Sequence, residues 1–154
     1  LINNPLFTII HADGVTPLPP RIWDNVGKIW RAVLDTMVHI SPPEYSFVLT
    51  NALLDSEDDR AWFDEVKEAA RQRGALFVPV ILTISPEEHK KRIVTQDRVT
   101  RLKEIDPESP DRYAKANNML RPEHPHLLTL DVTRLSPAES VDLILSHLRK
   151  VNGL

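Results

Sequence analysis

Several polar groups in this sequence have the types and spacing to handle a phosphorylated or hydroxyl-bearing molecule. The first is a run of bases: Lys90, Lys91, Arg92, Arg98, Arg101 and Lys103. Guanidinium groups grip phosphate oxygens in pairs, and Arg98 and Arg101, three apart, share a face if this stretch is helical. The same run is equally well read as a solvated charged helix. Thr50-Asn51 and Thr133-Arg134-Leu135-Ser136-Pro137 each follow an apolar run directly. Asp13, within His11-Ala12-Asp13-Gly14, could orient a hydroxyl or take its proton. It could also cap the turn, a common use of Asp beside Gly. Asp131 reads as a structural hydrogen-bonding group. His124-Pro125-His126 offers two donors that zinc accepts but no third at useful spacing, so it reads as an exposed loop and no metal site is expected. His11 and Ser136 have no triad partner nearby.

These groups need elements to hold them. Arg21–Ile40 carries Ile22, Val26, Ile29, Val33 and Met37 three or four apart, which predicts a long amphipathic helix closed by Ser41-Pro42-Pro43. Its tryptophans, with Trp62, are expected in the core. Tyr45–Leu49 is short and β-prone, so a buried strand is predicted, with Thr50-Asn51 at its carboxyl end. Asp55 to Asp59 should cap a helix that ends at Gly74. Leu76–Ile84 is nearly all apolar, the pattern of a strand covered on both faces. Ser85-Pro86-Glu87-Glu88 and Ser136-Pro137-Ala138-Glu139 both read as capping boxes with proline in the first turn. A last strand over Leu127–Val132 and a helix through Val141, Ile144, Leu145, Leu148 and Val151 complete an alternating pattern. That pattern predicts a single α/β domain with a parallel sheet, in which ligands bind beyond the carboxyl ends of the strands. Residues 89–119, basic and proline-punctuated, have few core anchors and read as a mobile helical flap.

Composition removes other classes. The chain has 154 residues with a formal net charge of −3, so no global positive field recruits nucleic acid or an anionic membrane. No apolar run approaches a membrane span and no signal-peptide pattern opens the chain. Zero cysteines exclude disulfides, thiolate zinc and cysteine nucleophiles, and fit a cytoplasmic setting. Average usage would place about eleven glycines in this length; there are 4, against 13 prolines. Neither G-x-x-x-x-G-K-S/T nor G-x-G-x-x-G can be written from Gly14, Gly27, Gly74 and Gly153.

The order of these pieces resembles the P-loop kinases related to polynucleotide kinase, chloramphenicol phosphotransferase and shikimate kinase. The resemblance runs from the strand ending in Thr50-Asn51, through Arg60, Trp62 and Gly74, to an apolar strand and Ser85-Pro86. Arg92, Arg98 and Arg101 then stand in the lid position. Leu130 to Pro137 is similar to the last strand and adenine-side loop of such kinases. Leu1-Ile2-Asn3-Asn4-Pro5 and Thr16-Pro17-Leu18-Pro19 resemble the acceptor region after their second strand.

The resemblance implies a three-layer parallel sheet of the P-loop kinase type, with a basic helical lid over residues 89–119. It implies phosphate transfer from ATP, with Mg²⁺, to a small-molecule or nucleotide hydroxyl. Arg98 and Arg101 would close on the transferred group with Arg92 behind them. Arg134, Leu135 and Pro137 would flank the adenine, and Asp13, Thr50 and Asn51 would face the acceptor. The family's first strand, central in its sheet, and its G-x-x-x-x-G-K-S/T loop are expected to precede residue 1. Without them, Tyr45–Leu49 and Leu76–Ile84 should present unpaired edges, and the isolated chain is expected not to bind ATP appreciably. The alternative is a non-catalytic binding or regulatory module on a kinase scaffold. A nucleic-acid 5′ end as acceptor is disfavoured by the negative net charge.

Overall fold

A computed structural model of the chain describes residues 3–116 and 118–153, apart from the side chain of Asn4. Of the segment resembling an acceptor region, Leu1, Ile2 and the Asn4 side chain lie outside the described residues. Those residues form a mixed α/β structure. Its elements in order are α1 (Asn4–Ile9), α2 (Ile22–His39), α3 (Glu57–Arg73), β1 (Val80–Thr83), α4 (Pro86–Ile93), α5 (Gln96–Thr100), α6 (Ser109–Ala116), β2 (Leu128–Asp131) and α7 (Pro137–Val151). The single-domain expectation meets two compact units: Leu1–Ile40 with Pro86–Ala116, and Ser41–Ser85 with Asn117–Leu154.

In the first unit, α2 forms where its apolar period predicts. Ile22, Val26, Trp30 and Leu34 are buried, each one helical turn from the next. Trp23 is not in the core: it is 50% exposed, with its ring edge-on to Phe7 at 6.2 Å. One residue along a helix is a rotation of about 100°, which carries Trp23 off the stripe that Trp30 shares. The short α1, with proline in its first turn, was not anticipated. The flap expected over residues 89–119 contains α5 and α6 and the end of α4, and it holds more core than its charge suggests. Ile93 is 1% exposed, and Ser109 and Pro110 are fully buried. One isoleucine on an otherwise polar helix suffices, because α4 packs on α6 and Lys90 pairs with Asp111 at 2.6 Å.

The second unit holds a two-stranded parallel sheet. Val80 pairs with Leu128 and the register continues to Thr83 with Asp131; α7 packs against β2. The ends of α3 and α7 follow their local sequence. Ser56 accepts the Asp59 N–H, and α3 stops at Gly74 in the left-handed region (φ +67°). Ser136 and Glu139 cap α7 reciprocally. No residue of α7 is fully buried, although its apolar positions were expected to form an inward face.

The strands are shorter than predicted. Of Leu76–Ile84, only Val80–Thr83 is laddered. Tyr45–Leu49 joins no ladder among the described residues: no backbone N–H from Ser46 to Leu53 finds an acceptor there, and Val48 is 90% exposed. A strand is defined by its neighbour, and β-prone composition alone cannot supply one. The segment is anchored at its start instead. The Arg73 guanidinium donates to the carbonyls of Ser41, Pro42 and Tyr45 and lies 5.1 Å over the Phe47 ring. Farther along, Leu54 and Met119 form an isolated antiparallel bridge.

Candidate functional site

β1 and β2 end side by side, and the chain beyond both ends lines an open cleft of about 480 Å³. Its walls are Ser85, Asp131, Thr133, Arg134 and Leu135. Thr133 ties the two strand ends together. Its hydroxyl accepts the Ser85 N–H at 2.9 Å and donates to Asp131 Oδ1 at 2.6 Å, while its own N–H donates to the same oxygen at 2.9 Å. The Asp131 carboxyl is held below the usual carboxylate range, first by the Thr133 hydroxyl, then by the Thr133 amide and the positive charge of Arg134. Asp131 is thus the structural hydrogen-bonding group its position suggested. The Arg134 side chain makes no ion pair or hydrogen bond among the described residues. Leu135 supplies the apolar wall, and Pro137 begins α7 without lining the cleft. The capping carboxylate of Glu139 occupies the start of α7, accepting both the N–H and the O–H of Ser136. A ligand anion there would compete with a charge of its own sign.

Thr50 and Asn51 are exposed on the unladdered segment and are not among the residues lining the cleft. Asp13, Arg92, Arg98 and Arg101 belong to the first unit. Asp13 forms a closed turn: Oδ1 accepts the N–H groups of Val15 at 2.9 Å and Thr16 at 2.7 Å, and Oδ2 accepts the Thr16 hydroxyl at 2.6 Å. The Thr16 hydroxyl, followed by the two amides, lowers its carboxyl to about 2. A carboxylate that acidic is a weak base near neutrality, so the geometry suits the orienting and turn-capping roles better than proton abstraction.

The arginines are individually committed. Arg92 donates to Glu88 Oε1 at 2.8 Å, and Arg101 to Asp97 Oδ1 at 2.9 Å. Arg98 Nε donates to the Glu104 carbonyl at 3.0 Å. Arg98 lies inside α5 and Arg101 caps its end. They engage different partners instead of converging on one point.

A polar knot centred on Glu104 carried no signal in the sequence. Its carboxylate accepts from the buried Ser109 hydroxyl and from Tyr113 Oη at 2.8 Å, and Arg112 bridges Ser109 and Asp106. Burial pushes the His89 imidazole down, with Arg98 adding to the effect and Glu104 opposing it. These residues are scattered through loops and a short helix, so no periodicity could have linked them.

The fit to the groups implied by the resemblance is partial. Among the described residues no three His, Asp or Glu side chains gather as a metal set, and no glycine-rich amide cradle exists in the sequence. Mg²⁺ in phosphoryl transfer is held mainly by substrate phosphates and waters with one or two side chains, and no chemical step is derived through that ion. To the cleft, Leu135 presents an apolar side chain and Arg134 a guanidinium whose charge also acts on Asp131. The chain matched no protein-family model, no curated protein and no solved structure.

Proposed function

We propose that the protein is an ATP-dependent phosphotransferase acting on a hydroxyl of a small molecule or nucleotide. The observation that carries this reading is the cleft beyond the carboxyl ends of two parallel strands, where α/β proteins bind nucleotides. The motif order from Thr50 to Pro137 supports it. Arg134 and Leu135 flank the base of ATP, with Pro137 fixing the turn that follows them. Arg98 and Arg101 stabilise charge on the transferred phosphoryl group, and Arg92 supports them. Asp13 orients the acceptor hydroxyl, and Thr50 and Asn51 contact the acceptor.

This chemistry requires a phosphate loop, which residues 1–154 do not contain. In titration calorimetry, these residues alone are expected to bind ATP weakly or not at all. The same residues expressed with a strand and a G-x-x-x-x-G-K-S/T loop in their own reading frame should bind ATP and transfer its γ-phosphate. If that longer protein binds ATP but transfers nothing to any hydroxyl acceptor, the phosphotransferase reading fails. The second reading is a binding or regulatory module on a kinase scaffold. That reading gains if the complete reading frame contains no such loop.

A further inference from the structure

Gly14 lies immediately after Asp13 and is pressed against a loop 90 residues later in the chain. Its carbonyl accepts the Ile105 N–H at 3.0 Å. A β-carbon on Gly14 would stand 2.5 Å from the Lys103 carbonyl oxygen and 3.3 Å from Ile105 Cγ1, and its backbone sits at φ +79°. Glycine is therefore required twice here, by conformation and by clearance. The receiving loop is held equally firmly. The Lys103 N–H donates to the Arg98 carbonyl at 3.0 Å, and Arg98 Nε reaches back to the Glu104 carbonyl. Leu102 is one of two non-glycine residues with positive φ among the described residues, at +52°. Such a conformation persists in leucine only where its surroundings impose it. The side chain of Glu104 is anchored to Ser109 and Tyr113 of α6.

We propose that Gly14 is a positioning residue that clips the Asp13 turn to the Arg98–Ile105 loop, so that the two move as one body. A molecule that orders either segment would then order the other. The assignment of these segments as acceptor turn and lid rests on the phosphotransferase reading; the clip does not.

Amide hydrogen exchange on the 154-residue chain tests the clip without any ligand, so its failure is separable from failure of that reading. Gly14→Ala is expected to speed exchange at the Ile105 amide by about tenfold or more, because the hydrogen bond can no longer close. Gly74→Ala introduces the same left-handed strain with no atom within 4 Å, and exchange at Lys103 to Ile105 should not change. Thr16→Val, which loosens the Asp13 turn without touching the clip, should speed exchange at Lys103 to Ile105 as well as at Val15 and Thr16. The amides of α2, in the same compact unit as Gly14, report whether Gly14→Ala has unfolded that unit, in which case Thr16→Val decides. Exchange at Ile105 within twofold of wild type in a folded Gly14→Ala, or a Thr16→Val effect confined to residues 13–16, overturns the proposal.

Discussion

Three hydrogen bonds converge on the Asp13 carboxylate, all from residues within three positions of it. The lowering to about 2 has a direct consequence for pH. A depressed carboxyl stabilises the turn above the ordinary carboxylate range, and that contribution is lost only as pH falls through the depressed value. In a ¹³C titration the Asp13 carboxyl should remain ionised at pH 3, and Thr16→Val, which removes the largest contributor, should move its midpoint upward. His124 shows the opposite charge type. Its ring sits edge-on to Phe77 at 5.3 Å and to His126 at 5.4 Å, and its Nδ1 accepts the His126 N–H at 3.2 Å. Burial lowers its affinity for a proton, and the charges of His126 and Lys67 add to this. The folded chain thus favours neutral His124: the stabilisation is present above the free-histidine value and is lost as pH falls below it toward the depressed one. Denaturant midpoints between about pH 5 and 7 should fall toward the acid side in wild type and change less in His124→Phe. An equal pH slope in both proteins would remove His124 from the account.

Elements were legible in the sequence to the extent that their causes are local. The ends of α3 and α7 are set by Ser56, Gly74, Ser136 and Glu139 through contacts within four residues of one another. Ser136→Ala should accordingly lower stability by about 1 kcal/mol in chemical denaturation. The helix α2 was also readable from spacing, although its buried stripe runs from Ile22 and Val26 through Trp30 and Leu34, leaving Ile29, Val33 and Met37 half-buried. Trp30→Ala should cost about 3–5 kcal/mol, and the half-exposed Trp23→Ala distinctly less. Tyr45–Leu49 and most of Leu76–Ile84 were not readable, because strand pairing depends on what lies alongside. The described residues put no partner next to the first of these. Its backbone amides from Ser46 onward find no acceptor among the described residues, and Val48 is 90% exposed, so this edge is open to other chains. Val48→Lys should reduce light scattering by the isolated chain at high concentration; unchanged scattering would show that association uses another surface. The burial of Ile93, Ser109 and Pro110 in a polar stretch had a non-local cause of the same kind, the packing of α4 on α6.

At the scale of the molecule, function was less legible than fold. The residues lining the cleft lie at or just past the ends of the two strands that the sequence did predict, and Arg134 and Leu135 were among the candidates for that reason. Asp13 and the lid arginines were singled out by residue type, but their actual partners, Val15 and Thr16, Glu88, Asp97 and Glu104, are fixed by turns and short helices that carry no period. The negative net charge weighs against a long polyanion as the acceptor in the proposed reaction. The central claim is phosphate transfer assisted by Arg98 and Arg101. Its most direct measurement is turnover of γ-labelled ATP by the complete reading frame encoding these residues, compared with its Arg98→Ala/Arg101→Ala variant. The account predicts a fall in kcat of about 10²–10³-fold, as when charge stabilisation is removed from a transition state, with the variant still folded by circular dichroism. Turnover equal to that of the unaltered protein would contradict it.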